Sequence, residues 1–456
     1  MSRAFLVDIG STFTKAALVD LEAAAVVARA DTPTTLGTDV MDGVAALRDR
    51  LGAGDVPTLA CSSAGGGLRL AVVGYEALVT AEAGQRVGLS AGAKVVHVHA
   101  GPLDRTGIDA LRAARPDIVL LVGGTDGGNS EVLRHNAARL ATARLPRRVP
   151  IVVAGNAEAA DQVAATLAAR GRAHTVAPNV LPRIGVVAPD GARAAIREAF
   201  LTHVIGGKGL SRDPAFASLV RAATPDAVLR GVEVLASALG QDVLVVDVGG
   251  ATTDVYSSVD PAGEPYAAER GPGEVVAQLR HARTVEADLG LRWNAEAVLE
   301  AAARERLPVS DDVRAHAATV QNHPDQVPTS PAEAEHDLAL ATLAATVAVR
   351  RHARPAHPGE PPRRLTDVGL VLGSGGVLRH GDPSQAGALL RAVTADRAGG
   401  WPLPRAPRLA VDAAYLLVVV GLLADTQPQV AAALARRLAA GEPVPTAVDG
   451  RGAQPA

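Results

Sequence analysis

The chain has 456 residues, too many for one hydrophobic core, and 48% of them are apolar, so roughly two to four packed domains are expected. A net charge of −3 with both signs interspersed offers no electrostatic case for nucleic acid or an anionic membrane. Aromatic residues are only 2%, so the cores must be built from Ala, Val and Leu, and a single cysteine, Cys61, excludes an intrachain disulfide.

The first element is "FLVDIGSTFTK" at residues 5–15. Ala4–Asp8 reads as a strand, Ile9–Phe13 as a tight turn and Thr14–Asp20 as a second strand. A plain hairpin needs only a turn residue or two. This turn adds a carboxylate at a strand end (Asp8), a glycine (Gly10), the hydroxyls of Ser11, Thr12 and Thr14, and Lys15, one of three lysines in the chain. Such a set suits a magnesium-bound phosphate, because hard cations take carboxylate or water oxygens and backbone amides receive phosphate oxygens. The start "MSRAFLVDIG" lacks a signal-peptide pattern, and with the lone cysteine it points to the cytoplasm.

Strand-like runs follow at 95–99, 118–122, 150–154 and 174–177, alternating with helical stretches such as Asn129–Arg144 and Ala157–Arg170. That alternation calls for a doubly wound parallel sheet. The loops "GGTDGGN" and "AGN" come after strand ends, where open α/β sheets bind ligands. Gly65–Gly67 and Gly123–Gly128 face a ligand or a partner, or are tight turns needing positive φ. His97 and His99 share a strand face as a metal pair could, although strand alternation explains them equally well. Cys61 reads as a small buried residue rather than a nucleophile, and Lys208 in "GGKG" touches phosphate or caps a helix.

Residues 197–240 and 269–348 read mainly as helices. In between, "VLVVDVGGATTDVY" at 243–256 repeats the opening pattern. Asp247 falls on Asp8 and Thr253 on Thr14, with Gly249, Gly250 and Thr252 in the turn and Asp254 in place of Lys15. One copy is explained by a chance hairpin; two copies suggest two domains of similar fold sharing a nucleotide. After a loop at 353–364, "DVGLVLGSGGVLRH" at 367–380 is a strand followed by Gly373, Ser374, Gly375 and Gly376 and the start of a helix, a loop flat enough to lie against a base or ribose. "AAYLLVVVGLLA" at 413–424 is about half a bilayer span and reads as a buried helix, and 440–456 as a loose tail.

Taken in order, the two Asp-Gly turns and the Gly-Ser-Gly-Gly loop resemble the phosphate-1, phosphate-2 and adenosine motifs of the actin, sugar kinase and heat-shock-protein-70 superfamily. The stretch 62–101, "DIVLLVGGTDGGN", "PIVVAGNAEAA" and "VLPRIGVV" look like the glutamate mutase accessory proteins, the MutL-like or GlmL family, over most of residues 3–425. The resemblance implies two ribonuclease-H-like, actin-like ATPase domains with inserted α/β and helical segments. A first lobe would span 1–190, a helical connection 191–240, a second lobe 241–440 and a tail 441–456. It implies ATP or ADP and Mg2+ in a cleft, with Asp8 and Asp247 as the metal-linked catalytic carboxylates. The nucleotide would be held by Gly10, Ser11, Thr12, Thr14, Lys15, Gly249, Gly250, Thr252, Thr253 and Gly373–Gly376. The implied partners are subunits of an adenosylcobalamin-dependent mutase, which the protein would free of damaged cobalamin using ATP; a homo-oligomer is left open. No Asp-x-His-x-x-Gly cobalamin pattern is present. A small-molecule kinase or hydantoinase-like protein of the same superfamily, and a nucleotide-binding scaffold without turnover, are the alternative functions.

Overall fold

A computed structural model describes residues 2–260, 278–355 and 360–445. In chain order the strands begin with β1 (Arg3–Ile9), β2 (Phe13–Asp20), β3 (Ala25–Pro33) and β4 (Thr58–Ser62). Next come β5 (Arg69–Gly74), β6 (Lys94–Ala100), β7 (Ile118–Leu121), β8 (Ile151–Val153) and β9 (His174–Val176). β10 (Val220–Ala223) stands alone among helices, before β11 (Val243–Val248), β12 (Thr253–Ser258), β13 (His281–Glu286), β14 (Leu370–Ser374) and β15 (Arg408–Val411).

These strands form three five-stranded sheets. The first has the order β3-β2-β1-β4-β10, antiparallel across β3-β2-β1 and parallel across β1-β4-β10. The second has the order β13-β12-β11-β14-β15 and repeats the same senses in the same sequence. One supersecondary plan has therefore been built twice, as the repeated turn motif predicts. The third sheet, β6-β5-β7-β8-β9, is parallel throughout and lies in sequence between β4 and β10, as an insertion into the first plan. It is the doubly wound sheet expected from the strand–helix alternation, with helices at Glu131–Thr142 and Ala160–Ala168.

Two stretches expected to be mainly helical each contain a strand. β10 interrupts 197–240, and β13 opens the described part of 269–348. Neither carries a clean apolar alternation: "VRAA" is too short, and "HARTVE" has polar residues on both faces that find partners only through the fold. The apolar run at 413–424 contributes the helix Leu416–Leu423, with seven of its eight residues buried. No helix among the described residues is long and apolar enough to cross a membrane. Of the expected loop at 353–364, residues 356–359 lie outside the described residues, as do residues 446–456 of the expected tail.

The chain divides into two compact units: Met1–Pro182 with Ala188–Val234 and Leu416–Ala456, and Arg183–Val187 with Leu235–Tyr415. The first contains the β3-β2-β1-β4-β10 sheet and the inserted parallel sheet, the second the β13-β12-β11-β14-β15 sheet. Small residues let elements approach closely where bulky ones are scarce. In the first unit a Cβ on Gly421 would stand 1.8 Å from the Ala227 carbonyl oxygen, so only glycine allows the helix Leu416–Leu423 to press against the helix Thr224–Leu239. In the second unit, Leu244, Val246, Val248 and Val255 pack beneath Ala341, Ala344, Ala345 and Ala348 of the long helix Pro331–Ala353, all fully or almost fully buried. Aliphatic packing of this kind supplies the apolar burial that aromatic residues supply elsewhere.

Candidate functional site

In the first unit, Asp8 lies at the end of β1, opposite Lys15 on β2 and Cys61 on β4. Its carboxylate is 3% exposed and is held by three neighbours. Thr224, the first residue of the helix after β10, donates its hydroxyl to Asp8 Oδ1 at 2.6 Å. The Cys61 thiol reaches the same oxygen at 3.4 Å, and Lys15 Nζ lies 3.8 Å from Oδ2. Burial, then the neighbouring Asp8 charge, push the Cys61 thiol well above its ordinary range, so it remains protonated and acts as a donor. Cys61 is the buried structural residue that the sequence suggested.

The turn beyond Asp8 is closed by Gly10 N–H donating to the Phe13 carbonyl at 3.1 Å. Thr34, just past β3, braces it from behind: its hydroxyl donates to Gly10 O at 2.8 Å, and its amide donates to Thr12 O at 2.8 Å. Thr14 is wholly buried, with its hydroxyl 3.1 Å from that of Thr34. Ser11 and Thr12 are exposed, and among the described residues their N–H groups have no acceptor. The Ser11 hydroxyl donates to the Ser63 carbonyl at 3.1 Å. Carbonyls are thus tied inward and amides turned to solvent.

The second unit repeats this construction. Asp247 ends β11, opposite Asp254 on β12 and Ser374 on β14. Gly249 N–H donates to Thr252 O at 2.9 Å, matching the Gly10–Phe13 closure. Thr253, wholly buried like Thr14, donates its hydroxyl to Leu289 O at 2.6 Å. The segment after β13 takes the place of Thr34: the amide of Leu291 binds Gly249 O, and those of Arg292 and Trp293 bind Gly250 O. Gly250 and Ala251 are exposed, and among the described residues their N–H groups again have no acceptor.

The third motif comes to the same end of this second sheet. Ser374 closes β14 beside Asp247, and Gly375 has φ +104°. A Cβ there would sit 2.1 Å from the Val248 carbonyl oxygen, so the loop hugs β11 only as glycine. Gly376 opens the short helix Gly376–His380 and faces open space. Gly373 accepts from the amide of Asp412, a fully buried residue just after β15, in the place that Thr224 holds after β10. The sequence reading missed Asp412 and Thr224; a polar residue ending each last strand of a repeated sheet is the signal that could have found them.

Charge distinguishes the two copies. Where Lys15 faces Asp8, Asp254 faces Asp247, and like charges directly opposite on antiparallel strands repel. Arg283 on β13 offsets this, donating to Asp254 Oδ2 at 3.3 Å with its guanidinium 5.6 Å from the Tyr256 ring centroid. Desolvation alone would lower the Arg283 pKa, but Asp254 and Tyr256 outweigh it and the value rises. Asp254 Oδ1 is buried and has no hydrogen-bond partner among the described residues. A buried carboxylate oxygen beside a second carboxylate, next to outward amides, fits a hydrated divalent cation with phosphate. No group of three or more His, Cys, Asp or Glu that could hold a metal by itself occurs among the described residues, so such a cation would rely on water and phosphate oxygens.

Other singled-out residues have structural surroundings. Lys208 forms an ion pair with Asp117 at 2.9 Å and reaches Gly65 O at 3.4 Å. His97 and His99 stack with centroids 6.4 Å apart on the edge strand β6. Burial, aided by His99, lowers the His97 pKa. Within the "GGTDGGN" loop, Gly123, Gly124 and Gly127 have positive φ, as do Gly65–Gly67.

Two copies of a ribonuclease-H-like sheet, each ending in an Asp-Gly turn, define the actin-like ATPase fold shared by sugar kinases and heat-shock protein 70. Within that fold the chain belongs to the MutL protein family, whose model matches residues 4–438. It is 35% identical to protein MutL of Clostridium tetanomorphum, across 96% of this chain and 99% of that protein. Among solved structures it is similar to a ROK-family glucokinase from Streptomyces griseus in complex with glucose and AMPPNP, at 12% identity, 96% and 100% coverage and a TM-score of 0.35. It is also similar to the activator of 2-hydroxyisocaproyl-CoA dehydratase from Clostridium difficile with bound ADPNP, at 11% identity, 94% and 96% coverage and a TM-score of 0.33. The fold assignment rests on the duplicated strand order.

Proposed function

We propose that this protein is an ATP-dependent reactivating chaperone of an adenosylcobalamin-dependent mutase of the glutamate or methylaspartate mutase type. The observation that carries the nucleotide reading is the twice-built turn, with a carboxylate at the strand end, carbonyls tied inward and two consecutive amides turned outward. Phosphate oxygens would be received by the amides of Ser11 and Thr12 in one copy and Gly250 and Ala251 in the other. Gly373–Gly376 would lie against the base or ribose, and Lys15 adds positive charge at the phosphate-1 turn. Asp8 and Asp247 would hold Mg2+ through its water shell, and the ion supplies charge neutralisation at the transferring phosphoryl group. The buried Thr14 and Thr253 hold each turn in shape from within. Membership of the MutL family supports a glutamate mutase system as the beneficiary.

A calorimetric titration with MgATP and MgADP tests the first half of this reading. Saturable heat with either nucleotide is expected. At about a hundred times the dissociation constant, ligand should add roughly 2.7 kcal/mol to stability, an upward shift of the melting curve. Absence of heat with both nucleotides would refute the reading.

A further inference from the structure

The segment that braces the phosphate-2 turn is itself anchored elsewhere. Leu291, Arg292 and Trp293 bind the turn through three amides, at 3.1, 2.9 and 3.0 Å. The Arg292 side chain then leaves in the other direction. Its Cγ would be 3.5 Å from a Cβ on Gly250, and its Nε donates to the Gln326 carbonyl at 3.2 Å. Its two terminal nitrogens form a fork onto both oxygens of Asp337, on the long helix Pro331–Ala353. Asp337 is 3% exposed, and its Oδ1 also accepts from His316 Nε2 at 2.7 Å. A half-buried bidentate pair of this kind fixes direction as well as distance. Behind it, Gly290 lies so close to the turn that a Cβ would be 2.4 Å from the Ala251 carbonyl carbon.

We infer that Arg292 and Asp337 are a positioning pair for phosphate binding: they clamp the Leu291–Trp293 strap, which holds the Gly249 and Gly250 carbonyls and so aims the outward amides of the turn. The inference rests on the nucleotide reading above and deepens it. Arg292 touches no phosphate in this scheme; it acts through the peptide planes of the turn. A peptide plane held by its carbonyl cannot rotate its N–H away from a ligand without breaking that bond. The strap also carries Trp293, 65% exposed and one of only two tryptophans in the chain, so its indole should register phosphate arriving at the turn.

The test uses the full chain with Trp401→Phe, leaving Trp293 as the sole tryptophan and exciting it selectively over the tyrosines, titrated with MgADP and assayed for MgATP turnover. The parent is expected to show a saturable change in Trp293 emission. Arg292→Lys keeps the charge and loses the fork. It should weaken MgADP binding, remove the emission change and lower kcat per folded molecule by about ten- to a hundredfold, as for a misplacement of ~1 Å at the reacting group. Gly290→Ala, which leaves the ion pair intact but pushes the strap off the turn, should do the same and guards against Arg292→Lys failing to fold. Unchanged affinity, kcat and emission response in folded Arg292→Lys or Gly290→Ala, alongside a parent that binds and hydrolyses normally, overturns this inference alone. A parent that binds neither nucleotide overturns the nucleotide reading and this inference with it.

Discussion

At the residue scale the two strand-end aspartates are equivalent in position and different in surroundings. Asp8 is the acceptor for Thr224 and Cys61, whereas Asp247 is partly exposed beside Asp254 and Ser374. Asp247→Asn should therefore lower MgATP turnover by about 10²-fold or more through lost transition-state charge stabilisation while leaving the melting curve close to that of the parent. Asp8→Asn should lower turnover too, and also cost about 1–3 kcal/mol because a buried charge-assisted acceptor is weakened. Turnover per folded molecule and urea midpoint, measured on one preparation, check both outcomes; normal turnover in both variants would leave the aspartates as turn caps only. The aspartates were legible in the sequence because the turn occurs twice with the same spacing. Their partners were not. Thr224 lies 216 residues from Asp8, and the Arg292–Asp337 fork spans 45 residues with no local pattern to mark either end.

At the element scale, one histidine ties the long helix to the second sheet. His352, near the end of Pro331–Ala353, lies 2.9 Å by Nε2 from the Ser257 hydroxyl on β12 and 3.0 Å by Nδ1 from the Thr284 hydroxyl on β13. A neutral imidazole offers one donor and one acceptor, which two hydroxyls can complement. Burial, with Arg363 nearby, drives the His352 pKa well below its ordinary 6.5. As pH falls through about 6.5 the unfolded chain takes up a proton at this residue and the folded chain does not, so stability declines from there down to the folded-state value. Urea midpoints between pH 7.5 and 5 should fall for the parent and fall less for His352→Gln; equal slopes would mean that His352 carries none of the acid sensitivity. Part of the element list was readable: β1, β2, β11 and β14 are apolar runs ending at turn residues, and β6, β7, β8 and β9 of the inserted sheet follow from strand–helix alternation, whereas β3, β4, β5 and β15 were not read. β10 and β13 were hidden because their pairing comes from neighbours rather than from their own pattern.

At the scale of the whole molecule, the proposed function requires that partner and nucleotide influence one another. A mutase that prefers one nucleotide state must change nucleotide affinity by the same factor, typically about five- to 150-fold. Pull-down and titration with purified mutase subunits in MgATP, MgADP and no nucleotide should therefore give unequal affinities. MgATP, but not MgADP alone or the Asp247→Asn variant, should restore repeated turnover to mutase blocked by a cobalamin lacking its adenosyl group, assayed with fresh adenosylcobalamin. Phosphorylation of a small metabolite with no rescue of any mutase would instead make the protein a kinase. The duplication of fold was legible in the repeated turn and the inserted α/β segments in the strand–helix alternation, while the strand order fixed where the parallel sheet enters, between β4 and β10.

The single thiol has a practical meaning of its own. Cys61 is wholly enclosed at the end of β4, directly against the aspartate of the first turn, and every other sulfur in the chain belongs to one of two methionines. A thiol reagent therefore has one target, reachable only when that strand end opens, so its labelling rate is a stopwatch for opening of the first sheet. Mutagenesis is not needed to install it.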